Sequence, residues 1–366
     1  MKKWMYLATI LAVGIVLVLA NLGHGTEAKK VKQPVHILAG IDSLTNGRLY
    51  GSNKSRYLDD FIPALKKQYG DGGPGYIPFD TLYFQREGGR LEFSGNLKEI
   101  NDLPHDVAPA VYSFDFKGLY TLRGQSDFIK MDLNRSFTMA KLFYLEQGGG
   151  GSFEAGSGGH FIEVKTNGRT GLGVITLPGH TPRHSLIIRH IRGRVTLFGG
   201  YFYNPSGVIV SRVGQGGDRL EWYAGLNKRT LIQWIQALQP DLYIFNGGMN
   251  DRNWLSAYRY KASLDMYLTP FLKSHCTLIL SIPNAIRGDE TRLKAYSHEL
   301  RLFSKQYHTG LISYQDALGT SYREAYLKGY MADDIHPNAK GASVMSRHLL
   351  NYLNHHEVFR TLLSAK

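Results

Sequence analysis

The apolar run Val35-His36-Ile37-Leu38-Ala39 leads directly into the segment Gly40-Ile41-Asp42-Ser43-Leu44. A short run of this kind that ends in turn-forming residues is typical of a strand buried on both faces of a parallel sheet. Ser43 falls just beyond the end of this strand. Open α/β sheets bind their ligands at that end, so Ser43 is a candidate functional residue.

Strand and helix patterns alternate in the chain around this segment. Apolar residues recur with helical spacing over residues 56–69. From residue 207 onward, strands are predicted at 207–213, 241–245, 277–282 and 311–314, with helices near 219–238, 256–273, 291–307 and 338–354. The alternation predicts an α/β fold with a doubly wound parallel sheet that helices cover on both faces.

Residues 84–204 have a different pattern. Helical periodicity gives way to short apolar runs that Gly, Asn and Pro separate, at 161–164, 172–177, 185–191 and 194–198. We predict an antiparallel β-sandwich inserted into the α/β domain, which splits the catalytic domain into residues 31–83 and 205–366. The glycine-rich tracts at 147–151 and 156–159 are predicted loops of this insert.

Ser43 needs two partners, because a serine hydroxyl becomes a good nucleophile only when an imidazole takes its proton and a carboxylate orients that imidazole. The segment Asp333-Asp334-Ile335-His336-Pro337 supplies both on one loop before the last predicted helix. His336 is the candidate base. From the residues alone, either Asp333 or Asp334 can orient it.

A tetrahedral oxyanion also needs hydrogen-bond donors. Gly216-Gly217-Asp218 and Gly248-Met249-Asn250-Asp251 both follow predicted strands. The predicted donors are the backbone N–H groups of Ser43 and Gly217 and the side-chain amide of Asn250.

In their order and context, these four segments resemble the blocks of the SGNH (GDSL-type) hydrolases. The resemblance covers residues 35–83 and 205–354, and it departs at Ile41, where the family has the glycine that here stands at Gly40. It implies a flavodoxin-like fold and an acyl-serine intermediate, with no metal or cofactor. The spacing of the family's Asp-x-x-His block favours Asp333 over Asp334.

The insert resembles the jelly-roll, carbohydrate-binding-like modules of SGNH enzymes that acetylate or deacetylate bacterial cell-wall glycans. Sugar binding by the insert rests on this analogy. Its aromatic side chains form either a stacking surface for sugars or part of the core: Tyr112, Phe114, Phe116 and Tyr120.

The loop at residues 71–76 resembles a loop of the same wall-polysaccharide enzymes. Its glycines let the backbone approach a substrate, and Tyr76 or Phe79 would line the pocket; the alternative is a rigid connection after the helix. We also expect substrate contacts from Asp42, Met249 and Asp251.

The resemblance implies a serine-dependent enzyme that acts on O-acetyl groups of a cell-wall or anionic surface polysaccharide. Both transfer to a sugar hydroxyl and hydrolysis pass through the same acetyl-serine. We favour an O-acetyltransferase, to which a membrane protein would supply acetyl groups. The alternatives are a polysaccharide or peptidoglycan O-acetylesterase and a non-catalytic glycan-binding wall protein.

Lys2 and Lys3 precede an apolar run over residues 4–20, so residues 1–30 are predicted to be a signal peptide or an N-terminal membrane anchor. We favour an uncleaved anchor, with the remaining chain outside the cytoplasm. The formal charge of +13 favours lipid headgroups or wall polymers as partners over nucleic acid. Cys276 is the single cysteine, which excludes an intramolecular disulfide.

Other enzyme classes lack their motifs in this sequence. It contains no Gly-x-Ser-x-Gly elbow, no His-Glu-x-x-His and no Gly-Lys-Ser/Thr phosphate loop. The glycines at Gly70, Gly72 and Gly75 follow a predicted helix and open none, so they are interpreted as a loop and not as a dinucleotide site.

Overall fold

The computed structural model describes residues 34–46, 56–177, 179 and 181–365, so the predicted N-terminal anchor lies outside the described residues. The strands in these ranges are β1 (Val35–Ile41), β2 (Gly75–Pro78), β3 (Arg90–Phe93), β4 (Lys98–Glu99), β5 (Leu119–Phe137), β6 (Met139–Glu146), β7 (Ser152–Ser157), β8 (His160–Lys165), β9 (Gly171–Leu177), β10 (Arg183–Tyr203), β11 (Val208–Arg212), β12 (Leu242–Asn246), β13 (Thr277–Ile282) and β14 (Gly310–Ser313).

The helices in the same ranges are α1 (Ser43–Asn46), α2 (Leu58–Tyr69), α3 (Thr81–Arg86), α4 (Leu220–Ala224), α5 (Lys228–Leu238), α6 (Ala257–Lys273), α7 (Thr291–Tyr307), α8 (Tyr314–Leu318), α9 (Tyr322–Leu327), α10 (Ala339–His355) and α11 (Glu357–Ala365). None of these helices combines the length and the apolar character needed to cross a membrane. The helix predicted at 219–238 is divided into α4 and α5, because Gly225 ends the first turn and Asn227 caps the second helix.

Five strands form a parallel sheet in the order β11-β1-β12-β13-β14. Counted along the chain within this sheet, the order is the flavodoxin-like 2-1-3-4-5, in which the direction of winding changes at the first strand. All residues of β1, β11 and β12 are buried, as strands covered on both faces require. The predicted doubly wound sheet is confirmed, and Ser43 lies directly beyond β1 at the switch point.

The side chains of β1 alternate between two helical layers. Ile37 and Ala39 pack into one apolar core with α2 and α10. Leu38, between them, packs into a second core with α5, α6 and α7. Because successive residues of a strand point to opposite faces, the sheet separates the two layers.

The remaining strands, from β2 to β10, form an antiparallel sheet that curls around a core of its own. The first half of β10 lies between β5 and β7, and its second half lies between β2 and β6. Shifts of register within β10 accompany this change of neighbours, and bulges of this kind bend a strand. The predicted antiparallel insert in an α/β fold is confirmed.

The boundaries of the insert differ from the prediction in two ways. Strand β2 belongs to the antiparallel sheet, so the β-rich unit begins before residue 84. The runs at 185–191 and 194–198 belong to one strand of 21 residues, since Gly193 and the bulges let β10 bend without ending.

The loop at residues 71–76 packs against the start of β11, at the end of the sheet opposite Ser43. The N–H of Gly72 donates to the carbonyl of Val208 (3.0 Å). Gly73 has a φ of 106°, and a Cβ there would overlap the backbone of Tyr203, so glycine is required for this close packing. The prediction that this loop approaches the substrate is therefore wrong, and the alternative of a rigid connection is correct.

Trp234 of α5 joins the two units. Its ring lies 4.6 Å from the ring of Phe143 and 5.6 Å from those of Tyr76 and Phe114. Its Nε1–H donates to the carbonyl of Tyr112 (3.0 Å). The indole thus fills the junction between the insert and the helices of the parallel sheet.

The aromatic residues singled out in the insert belong to this junction. Phe114 and Phe116 are buried, and Tyr112 and Tyr120 are partly buried and pack against the same apolar cluster. Of the two alternatives for these side chains, the structure selects the core and not a stacking surface.

We predict that Trp234→Ala lowers the free energy of unfolding by about 3–5 kcal/mol, since it empties a large packed site. Ile232→Ala is the matched control, because Ile232 lies on the same helix and is 39% exposed. That variant should lose about 1 kcal/mol or less. Denaturant titration followed by far-UV circular dichroism measures both, and equal losses in the two variants would contradict the central role of Trp234.

Candidate active site

The loop before α10 brings His336 to Ser43. Nε2 of the ring lies 2.9 Å from Oγ of Ser43. On the other side of the ring, Nδ1 lies 3.0 Å from Oδ2 and 3.2 Å from Oδ1 of Asp333. With its Nδ1–H directed at the carboxylate, the imidazole presents Nε2 as an acceptor for the serine proton. The structure thus brings the three predicted residues together in one relay.

Local hydrogen bonds fix the turn that carries the two partners. Oδ1 of Asp333 accepts from the backbone N–H groups of Ile335 (2.8 Å) and His336 (2.7 Å). The side chain of Asn284, which follows β13, donates to the carbonyl of Ile335 (2.9 Å). A carboxylate that bonds to N–H groups two and three residues ahead closes such a turn, which explains the three-residue spacing.

The neighbouring aspartate points elsewhere. The side chain of Asp334 is 62% exposed and pairs with Arg287 (3.5 Å). Asp333 is therefore the carboxylate that faces His336, as the family resemblance implies.

The hydrogen bonds of Asp333 also set its protonation state. Partial burial raises the pKa of this carboxyl, but bonds from the backbone N–H groups of His336 and Ile335 and from the imidazole outweigh that effect. The pKa of Asp333 consequently lies below its ordinary value. The group stays ionised at neutral pH and can stabilise a protonated His336.

Ser43 opens α1 at a tight turn from strand to helix. The carbonyl of Asp42 accepts from the backbone N–H groups of Thr45 (3.2 Å) and Asn46 (3.0 Å). Oδ1 of Asp42 accepts from the N–H of Leu44 (3.0 Å). Asp42 thereby holds the serine at the carboxyl edge of the sheet.

The two segments predicted to bind the oxyanion are joined to each other. The side-chain amide of Asn250 donates to the carbonyl of Asp218 (2.9 Å). An amide carries two N–H groups, so this bond leaves the second for a ligand oxygen. Gly217 is exposed, with a φ of 95° and open space where a Cβ would stand. The roles of Gly217 and Asn250 as oxyanion donors stay predictions.

The four residues predicted to contact substrate are completely buried, so this prediction is wrong: Asp42, Tyr76, Met249 and Asp251. Asp42 holds the serine turn. The carboxylate of Asp251 accepts from the backbone N–H groups of Leu220 (3.0 Å) and Glu221 (3.2 Å), which fixes the start of α4 beside the Asn250 segment.

The other two of these residues are packed inside the protein. Met249 lies in the apolar core. The hydroxyl of Tyr76 donates to Oδ1 of Asp115 (3.2 Å). Phe79, the alternative to Tyr76 as a pocket wall, is also buried.

Lys117 supports the site from the insert, and sequence reasoning missed it. Its Nζ donates to the carbonyl of Gly214 (2.6 Å), and the residue is 4% exposed. Burial raises the pKa of Asp218 to about 7 and that of Asp115 to about 6, although the Lys117 ammonium lowers both. The lysine thus offsets part of a buried negative charge beneath the Gly217 loop. No sequence pattern links residue 117 to residue 214.

Among the described residues, no group of three or more His, Cys, Asp or Glu side chains is arranged to hold a metal ion.

No protein-family model and no curated protein sequence matches the chain. Solved structures do match it. A peptidoglycan O-acetylesterase superposes with a TM-score of 0.72 over 92% of this chain and 93% of that chain, at 18% sequence identity. This alignment extends through the parallel-sheet unit and the insert. The chain has the SGNH (GDSL-type) hydrolase fold.

Other solved structures match a smaller share of the chain. A GDSL-like lipase from Parabacteroides merdae is 15% identical and covers 40% of this chain and 72% of its own length, with a TM-score of 0.35. An acetylxylan esterase from Geobacillus stearothermophilus is 19% identical and covers 42% of this chain and 74% of its own length, also with a TM-score of 0.35.

We predict that Asn250→Ala lowers kcat for a small acetyl ester by about 100-fold or more, since it removes one oxyanion donor. Asn351→Ala is the control, because Asn351 is an exposed residue of α10. Steady-state kinetics on both variants tests the assignment. An unchanged kcat in Asn250→Ala would remove this residue from the site.

We also predict a pH-dependent effect of Asp42→Asn on stability. Burial is the main cause that raises the pKa of Asp42 from 3.8 to about 7. As the pH rises through this interval, the folded protein still binds a proton that the unfolded chain has released. The carboxyl group therefore lowers the free energy of unfolding progressively.

Asparagine removes the charge and keeps an acceptor for the Leu44 N–H. The free energy of unfolding of Asp42→Asn minus that of the wild type should increase by about 1 kcal/mol or more from pH 5 to pH 8. Urea titrations over this range measure the difference, and Asp316→Asn, at an exposed position, is the control. A difference that stays constant with pH would contradict the prediction.

Proposed function

We propose that this protein is a serine esterase that removes O-acetyl groups from a bacterial cell-wall glycan, with peptidoglycan as the favoured substrate. The observation that carries the proposal is the hydrogen-bonded relay of Ser43, His336 and Asp333 at the carboxyl edge of the parallel sheet. The likeness of both units together to a peptidoglycan O-acetylesterase supports the substrate class.

In the acylation step, Oγ of Ser43 attacks the carbonyl carbon of the acetyl ester while Nε2 of His336 takes the serine proton. Asp333, which stays ionised, stabilises the imidazolium. The oxyanion receives hydrogen bonds from the backbone N–H groups of Ser43 and Gly217 and from the amide of Asn250. His336 then protonates the sugar oxygen as the C–O bond breaks, which leaves an acetyl-serine.

In the deacylation step, a water molecule takes the place of the sugar. Nε2 of His336 accepts a proton from this water, whose oxygen attacks the acetyl carbon. The second tetrahedral intermediate collapses as His336 returns its proton to Ser43, which releases acetic acid that ionises to acetate in solution. Each step uses only groups that the relay and the two joined loops supply.

Hydrolysis is the better supported outcome of the two that share the acetyl-serine. The predicted membrane anchor and glycan module favour transfer. One solved structure that matches this chain over both units is that of an esterase, which supports the alternative. We therefore propose hydrolysis and keep transfer as an outcome that the experiment detects.

We further propose that the enzyme acts outside the cytoplasm, held at the membrane by its N-terminal segment. The two basic residues before the apolar run at residues 4–20 and the net charge of +13 support this location. Strand β1 starts at Val35 and ends at Ile41, so the chain enters the sheet at the edge opposite Ser43.

We predict that Ser43→Ala and His336→Ala each abolish nearly all hydrolysis of 4-nitrophenyl acetate and all acetate release from O-acetylated peptidoglycan. Relay members act as a unit, so the double variant should be no slower than either single one. Asp333→Asn should retain a small residual rate. His355→Ala, at an exposed histidine, is the control and should match the wild type.

Mass spectrometry of an added unacetylated glycan completes the experiment. Free acetate without acetylated acceptor supports the esterase. Detection of an acetylated acceptor would show that the enzyme transfers the acetyl group instead of hydrolysing the ester. Binding to the polymer without turnover of either ester would support the third alternative, a non-catalytic glycan-binding protein. Wild-type rates in Ser43→Ala would overturn the mechanism.

A further inference from the structure

An exposed tryptophan follows the Asn250 segment of the candidate site. Trp254 is 64% exposed, although a side chain of this size and apolar character is ordinarily buried for the most part. It follows the short 3-10 helix Asp251–Asn253, and its backbone N–H donates to the carbonyl of Asp251 (2.8 Å). The backbone of Trp254 is therefore fixed, and its indole faces solvent.

The indole belongs to a row of flat side chains. The guanidinium of Arg219 lies 4.8 Å from the ring centroid of Trp254 and 4.5 Å from that of Trp222. Trp222 is in turn stacked on His105 of the insert, with ring centroids 3.8 Å apart and ring planes inclined by 19°. Cation-π contacts and stacking restrict these groups before any ligand arrives. The exposed Trp254 indole is therefore held in place by the groups stacked beside it.

This row is attached to both oxyanion segments. Arg219 directly follows Asp218, whose carbonyl accepts the Asn250 amide (2.9 Å). Trp254 follows Asn250 on the other segment, and the carboxylate of Asp251 ties the two segments together through the N–H of Leu220 (3.0 Å). A ligand on the indole would consequently contact the surface formed by the two segments that carry the proposed oxyanion donors.

The chemistry of these groups favours a sugar ring. The C–H groups on one face of a pyranose form a flat apolar surface, which an indole covers well, while its hydroxyls remain at the edge. Arg219 offers planar N–H donors next to the ring, and its side chain is 19% exposed. An exposed apolar ring with adjacent donors matches the two kinds of surface that a pyranose presents.

We propose that Trp254 and Arg219 form a sugar-stacking subsite that positions a neighbouring residue of the glycan while its acetyl group reaches Ser43. This inference rests on the proposed function, since it assigns the polymer-binding side of the same site. Contacts with parts of the substrate remote from the reacting bond improve its orientation, so the subsite should matter for polymer more than for small esters.

The kinetic experiment compares two substrates, 4-nitrophenyl acetate and O-acetylated peptidoglycan. Trp254→Ala should lower the ratio of kcat/KM on peptidoglycan to that on the small ester by about 10-fold, mainly through KM. Trp254→Phe keeps a flat ring and should restore most of the ratio. An unchanged ratio in Trp254→Ala would overturn the subsite.

Met266→Ala is the matched control. Met266 is 63% exposed, close to the exposure of Trp254, but it lines a groove at the opposite edge of the sheet with Pro240 and His275. Loss of this apolar side chain should leave the ratio at the wild-type value. An equal fall in both variants would assign the effect to general surface changes and overturn the subsite.

A binding experiment separates this inference from the proposed function. Ser43→Ala protein is sedimented with insoluble O-acetylated peptidoglycan, alone and combined with Trp254→Ala. A lower bound fraction in the double variant supports the subsite, even if the wild type hydrolyses no ester and the proposed function fails. Equal bound fractions would overturn the subsite, even if Ser43-dependent hydrolysis is found.

Discussion

The carboxyl edge of one parallel sheet is the constraint on which the site depends. Neighbouring strands of such a sheet end side by side, so the segments that follow them meet although they are distant in the chain. Ser43 follows β1, Gly217 follows β11 and Asn250 follows β12. Asn284 follows β13 and supports the loop of His336. Strand order therefore brings together the relay and the two candidate oxyanion loops before any side-chain contact is considered.

The sequence predicts this arrangement well because its signals are local. A buried strand is visible as an apolar run, and a serine or an Asp-x-x-His block next to a strand or helix boundary marks the edge of the sheet. The insert was harder to predict. Ile129, Met131 and Leu133 are buried and alternate with polar residues in β5, a strand pattern that sequence analysis missed. The apolar pattern of strand β10 predicts two separate strands because Gly193 interrupts it, whereas the structure has one bulged strand.

Polar and aromatic residues near the site were the main source of error. Asp42 and Asp251 carry charged groups beside the nucleophile and the oxyanion loop, which suggested substrate contacts. Both instead accept hydrogen bonds from backbone N–H groups, a role that depends on the path of the chain and not on residue type. Tyr76 was misplaced for a similar reason, since a tyrosine suits a buried junction as well as a pocket wall. Trp254, conversely, cannot be recognised as a candidate binding residue from the sequence, because only the structure shows that its side chain is exposed.

The contact that Lys117 of the insert makes with the parallel-sheet unit limits how the insert could be lost or exchanged. An inserted domain is often regarded as a unit that can be gained, lost or exchanged while the host domain keeps its catalytic activity. Here the insert supplies an ammonium group to the carbonyl of Gly214 in the parallel-sheet unit, close to the buried carboxylate of Asp218. A shortened ancestor or descendant would have to replace one positive charge as well as an apolar surface. Substitutions in the two units are therefore expected to be coupled.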